Sequence, residues 1–125
     1  MISKEKVLKI IRDFDEVQQE KNQNPNNLDN IQTFQMSAKK KALSDYINNL
    51  SHDEYMDLCA LMDVGRKSIQ TGNKPIMCDY RVSRRSFENN HKCEENHANY
   101  LLAQKELNTY LRHSIYLYDE EELGF

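Results

Sequence analysis

The stretch "CALMDVGRKSIQTGNKP", residues 59–75, places an apolar helical pattern directly before a set of turn residues. Gly72 suits the left-handed conformation that follows many helix ends, and Pro75 cannot continue a helix. Gly65 lies inside the apolar pattern, where glycine costs a helix about 1 kcal/mol relative to alanine. We interpret Gly65 as a point of close helix crossing. The alternative is an anion site formed with Arg66, but such loops normally carry several glycines at a helix N-terminus.

The start of the same helix is marked by Ser51 and Glu54. Their spacing predicts a capping box, in which the Ser51 hydroxyl accepts from the Glu54 amide and the Glu54 carboxylate accepts from the Ser51 amide. Apolar residues follow on more than one side of the helix, which is typical of a helix surrounded by others. They are Tyr55, Met56, Leu58, Cys59, Ala60, Leu61, Met62, Val64 and Ile69. We therefore expect a central helix near residues 52–71.

The rest of the chain also favours helix. Its 125 residues include only three glycines and two prolines, which leaves few turns for an all-β fold. Ser3 and Ser37 are predicted caps of two further helices, Asp79 or Ser83 of a fourth, and a helix or helix pair is predicted after Asn96. The sequence predicts a single all-α domain over residues 1–125, a compact bundle of about five helices. A mobile loop is expected near residues 22–36 and an acidic, solvated tail at residues 119–125.

Composition restricts the compartment and the class of partner. The formal net charge is −3, an average that does not attract nucleic acid, although residues 81–92 carry a net positive charge. Three cysteines form no disulfide framework and indicate reduced thiols in the cytoplasm. The N-terminus predicts no secretion signal, and no apolar run approaches the roughly 18 residues that a membrane helix needs. We expect a soluble cytosolic protein with no membrane association.

Several of these apolar residues also carry a family resemblance. The shared features are Leu50 before an acidic helix start, the run Ala60-Leu61-Met62 with Gly65-Arg66, and Tyr100-Leu101-Leu102 followed by Leu107, Tyr110 and Leu111. On these residues, the chain resembles a family of small bacterial proteins known as domain of unknown function 3775, over roughly residues 43–113. The resemblance implies an all-helical fold and a bacterial or phage protein. It implies no activity and transfers no catalytic or binding residue.

The predicted binding surface follows Pro75 and consists of Arg81, Arg84, Arg85 and Lys92 with Tyr80. On the predicted helix, Phe87 would be buried and the arginines would lie in water. Arginine and tyrosine are efficient anchors at protein interfaces, so a protein partner is expected. The alternative is a nucleic-acid-binding regulator, or an inhibitor of a nucleic-acid-handling complex. Under this alternative, the cations of residues 81–92 contact phosphates and aromatic rings stack on bases. Residues 39–41 would extend the same basic surface.

No motif specifies a reaction. Cys93 and His97 are one helical turn apart, and Cys78, His91 or His113 would have to complete a zinc shell, but the spacing matches no familiar zinc module. We therefore expect no metal and no cofactor. Cys59 is interpreted as a small core residue. His52 stands beside two carboxylates at a helix start, which is an ordinary solvent position. The sequence thus favours a protein-interaction module that is not an enzyme.

Overall fold

The computed structural model describes residues 1–23, 38–90 and 97–122, and all of its regular elements are helices. They run in the order α1 Lys4–Gln23, α2 Ala38–Asn48, α3 His52–Thr71, α4 Met77–Asn90, α5 His97–Leu102, α6 Leu107–Ser114 and α7 Leu117–Glu122. The predicted all-α fold is confirmed. The C-terminal segment, however, forms three short helices where a single helix or a pair was expected.

Two expected irregular segments need comment. The predicted loop near residues 22–36 lies almost entirely outside the described residues, and residues 22–23 belong to α1. The predicted cap Ser37 and the residues that follow α4 up to Asn96 are likewise not described. Of the predicted acidic tail at residues 119–125, residues 119–122 belong to α7 and residues 123–125 lie outside the described residues. Buried Leu117 and Tyr118 hold this helix on the core.

Helix α3 is the centre of the fold, as predicted. It packs mainly against α6 and α4, while α1 packs against α6 and α2. The short α5 packs against α2, and α7 packs against α4. Every residue of α3 from 55 to 65 is buried. This central stretch therefore has no side that faces water.

Both ends of α3 have the geometry that the sequence predicts. The Glu54 amide donates to Ser51 Oγ at 3.1 Å, and the Ser51 amide donates to Glu54 Oε1 at 3.1 Å. Gly72 ends the helix in the left-handed conformation with φ 74°. The first helix is also capped as expected, because the Lys6 amide donates to Ser3 Oγ at 3.3 Å. Polar side chains thus determine where α1 and α3 begin, and a glycine determines where α3 ends.

The core contains buried apolar residues from α1 and α2 as well as from α3 and the helices that follow it. The apolar side of α1 is buried, with Val7 and Ile10 both 0% exposed. The C-terminal segment contributes four fully buried leucines, which are Leu101, Leu107, Leu111 and Leu117. Among the described residues, no helix combines the length and the apolar character that crossing a bilayer requires.

Gly65 lies where α6 crosses α3. A Cβ atom placed on Gly65 would be 1.8 Å from the backbone oxygen of Tyr110 and 2.6 Å from its carbonyl carbon. Real Cβ atoms do not approach backbone so closely, so only glycine allows the two helices to meet at this distance. The interpretation of Gly65 as a helix crossing is confirmed, and the crossing helix is α6.

The crossing predicts a large effect of Gly65→Ala. The added methyl group would meet backbone atoms of Tyr110, which cannot rotate away as a side chain could. Because overpacking a core typically costs about 1 to 3 kcal/mol, and a backbone clash more, we expect the free energy of unfolding in urea to fall by at least about 2 kcal/mol.

Gly72→Ala is the matched control. A Cβ on Gly72 meets nothing within 4 Å, so only the positive φ is strained. This change should cost about 1 kcal/mol. If Gly65→Ala proved no more destabilising than Gly72→Ala, the proposed packing role of Gly65 would be wrong.

Candidate functional site

The inner face of α4 consists of Tyr80, Ser83 and Arg84, which helical spacing places on one side. Tyr80 is 7% exposed and Ser83 is 4% exposed, and both face α3. Opposite them, α3 carries two buried carboxylates, Asp57 and Asp63. An unpaired buried carboxylate is costly, so these two residues need partners from the neighbouring helix.

The polar contacts between α3 and α4 form a junction with two halves, and Asp57 forms the first half. Its Oδ1 accepts a hydrogen bond from the Tyr80 hydroxyl at 2.8 Å and another from Arg84 Nε at 2.8 Å. Arg84 Nη2 lies 3.4 Å from Asp53 Oδ1, and Nη1 lies 2.7 Å from Glu88 Oε1, although outside hydrogen-bond geometry. The Arg84 side chain is only 16% exposed. Arg84 therefore acts as an internal cation that joins α4 to α3.

Asp63 holds the second half. The Ser83 hydroxyl donates to Asp63 Oδ2 at 2.6 Å, Arg66 Nη2 donates to Oδ1 at 2.6 Å, and Lys67 Nζ lies 3.1 Å from Oδ2. Burial alone would raise the pKa of Asp63, but the hydrogen bond from Ser83 and the nearby cations outweigh it, so the pKa lies below its ordinary value. Asp63 is therefore held as a carboxylate.

The predicted binding residues divide between two sides of α4. Arg81 and Arg85 are exposed, as expected. The expectation that all three arginines lie in water is wrong for Arg84, because the carboxylates of α3 draw it inward, and Tyr80 is buried for the same reason. Lys92 lies outside the described residues.

The outer face of α4 consists of Cys78, Arg81, Val82 and Arg85, all exposed. Val82 is 66% exposed, the highest value among the large apolar residues that the structure describes as exposed. Of the acidic residues of α4, Asp79 accepts a hydrogen bond from the Ile76 amide at 3.3 Å and Glu88 pairs with Arg84. The outer face therefore combines an apolar side chain with positive charge.

Several features expected for nucleic-acid binding do not coincide on this face. Tyr80 is buried, and Phe87 packs edge-on against Tyr100 with ring centroids 6.4 Å apart. Neither ring is presented flat for a base to stack on. The basic residues 39–41 belong to α2, which packs mainly against α1 and α5.

The cysteine and histidine positions offer no assembled chemistry among the described residues. His91 and Cys93 lie outside them, as does the side chain of His97, and no described group of His, Cys, Asp and Glu is arranged to hold a metal ion. Cys59 is 0% exposed, and burial raises the pKa of its thiol to about 12. His52 is exposed at the start of α3, as expected.

The sequence reasoning missed the residues that fix α4. Asp57 and Asp63 stand inside an otherwise apolar run, which was the available signal that a polar partner must approach from another helix. It also missed a second polar junction, between α1 and α6. There, Asp15 accepts hydrogen bonds from Asn108 and Arg112, and Asn108 Nδ2 also donates to Gln18 Oε1 at 3.0 Å.

Asp63 predicts a specific acid dependence of stability. Its depressed pKa means that the ionised carboxylate stabilises the fold above the ordinary Asp pKa, about 3.9, and that this contribution is lost as pH falls through the lower folded-state value. We expect Asp63→Asn to lower the free energy of unfolding at neutral pH by about 1 to 3 kcal/mol and to weaken its dependence on acid.

The measurement is urea denaturation at a series of pH values from neutral to strongly acidic. Asp45→Asn, which replaces an exposed carboxylate on α2, is the control. Equal acid dependence in the two variants would contradict the role given to Asp63.

Comparison with known proteins places the chain by sequence. A family model described as "Protein of unknown function (DUF3775)" matches residues 40–119, which span nearly all of α2 and the helices from α3 to the start of α7. No match was found among the curated proteins or among the solved structures. The matched segment contains the Gly65 crossing and both halves of the α3–α4 junction. The chain belongs to the DUF3775 family.

Proposed function

We propose that this protein is a non-enzymatic interaction module that binds an acidic protein partner through the outer face of α4. The observation that carries the proposal is Val82, which is 66% exposed and stands between the exposed Arg81 and Arg85. An apolar side chain bordered by guanidinium groups resembles the centre of a protein interface, where arginine is enriched and buried apolar contacts supply affinity.

The inner face of α4 supports this role by fixing the helix. Asp57 and Asp63 bind Tyr80, Arg84 and Ser83, so α4 cannot turn about its axis without breaking buried polar contacts. A surface held in its binding orientation loses less conformational freedom when a partner docks. The outer face is thus presented on a rigid support.

The charge of the outer face specifies the chemistry of the partner. Its cations attract a surface rich in Asp or Glu, and such complementarity raises the rate of association and selects against basic partners. The free thiols of Cys59 and Cys78 fit a reducing compartment such as the cytosol. Non-enzymatic action is supported by the polar residues with the most hydrogen bonds, because these bonds join α4 to α3.

Reversing the charge of Arg81 and Arg85 should test this function directly. We expect Arg81→Glu with Arg85→Glu to lower the affinity for the partner by roughly tenfold or more, equivalent to about 1.4 kcal/mol. Quantitative affinity purification from the native host measures this loss. The fold should be unchanged, since both side chains are exposed, and circular dichroism with thermal unfolding checks this.

The matched control is Arg12→Glu with Lys105→Glu, which changes the net charge equally at exposed positions on α1 and before α6. Partners that survive both pairs of changes equally would exclude the outer face of α4 as the binding site. A nucleic-acid ligand would give a different outcome, in which binding to purified DNA or RNA falls steeply with salt.

A further inference from the structure

The residues before α1 contact α7, although the two segments are far apart in the sequence. Ile2 is 2% exposed, and its carbonyl oxygen accepts a hydrogen bond from the Tyr118 hydroxyl at 2.5 Å. At the next turn, Lys4 Nζ lies 3.9 Å from Asp119 Oδ1. The first of these contacts is buried and the second lies at the surface. Residues 2–4 thus join α7 to the start of α1.

The other contacts of α7 are limited. The helix has six residues, and helices of that length are not stable on their own in water. It packs on α4 much less extensively than α6 packs on α3, and its buried apolar residues are Leu117 and Tyr118. Elements with few buried contacts open at a lower free energy than the helices of the core. The contacts with residues 2–4 are therefore a large part of what keeps α7 in place.

Helix α7 covers one end of the junction between α3 and α4. Burial and the hydrogen bond to Asp57 raise the pKa of Tyr80, and the neighbouring Tyr118 adds to the increase. The two tyrosines therefore lie close together. The backbone nitrogen of Met1 lies 4.0 Å from Asp57 Oδ2. Residues before α1 and a residue of α7 thus meet at the pair formed by Asp57 and Tyr80.

We propose that α7 is a latch, which opens and closes as a unit over Tyr80 while the remaining helices stay folded. The hydrogen bond between Tyr118 and Ile2 holds the latch shut, and opening breaks it. The released helix unwinds, because six residues cannot remain helical alone, and water then reaches Tyr80 and Asp57. The latch goes beyond the proposed function, since it does not depend on whether the outer face of α4 binds a partner.

Hydrogen exchange followed by NMR detects the opening in the full chain, under conditions where closing is faster than chemical exchange. The reporters are the amides of Tyr118 and Asp119, which donate to the carbonyls of Ile115 and Tyr116 at 3.2 and 3.0 Å. We expect them to exchange roughly tenfold or more faster than the amides in the middle of α3. Their rates should also depend less on urea, because a local opening exposes little surface.

Three variants identify what holds the latch. Tyr118→Phe keeps the ring but leaves the buried Ile2 carbonyl without this donor, so it should accelerate exchange in α7 by roughly tenfold. Tyr116→Phe makes the same change at an exposed ring two residues earlier and should leave exchange in α7 unchanged. Gly72→Ala strains the end of α3 equally whether the latch is open or closed, so it should accelerate exchange in α3 alone.

Two results would overturn the latch. If Gly72→Ala accelerated α7 as much as α3, the two helices would open only in the same global unfolding. If Tyr118→Phe left the α7 rates unchanged, the bond to Ile2 would survive the opening and could not be what holds α7 shut. Both results leave the binding role of the outer face of α4 to the charge reversal of Arg81 and Arg85, which tests it separately.

Discussion

The absence of a solvent-facing side on the middle of α3 is the constraint on which the other contacts depend. Every residue from 55 to 65 is buried, although two of them are aspartates and one is a glycine. Each of these three needs a particular neighbour. The aspartates require donors from α4, and the glycine allows α6 to approach to backbone contact at Tyr110. The positions of both flanking helices therefore follow from residues within α3.

The junction with α4 also explains why the arginines of that helix differ in exposure. Arg84 lies on the same side as Tyr80 and Ser83, so it is drawn to the carboxylates of α3 and is lost as a surface charge. Arg81 and Arg85 lie on the other side and remain exposed. Without a buried partner at Asp57, the three arginines would be equivalent. The buried carboxylates thus determine which cations the helix presents to solvent.

The limits of sequence reasoning follow from the same contacts. Caps and crossings are local signals, so Ser51, Gly65 and Gly72 could be interpreted correctly from their neighbours alone. The direction of Arg84 depends on the rotation of α4 relative to α3, which no local pattern contains. The division of the C-terminal segment into three helices was equally hidden, because its breaks near residues 103–106 and 115–116 contain neither glycine nor proline.

The family match covers α3 and the helices that follow it, but not α1. Residues 40–119 include α3, α4 and α6, so the central crossing and the outer face of α4 belong to the matched segment. Helix α1 precedes it, yet α1 covers α6 and joins it through Asp15 to Asn108 and Arg112. This contact involves α6, which is a different neighbour of α3 from α4. Helix α1 therefore completes the core through α6.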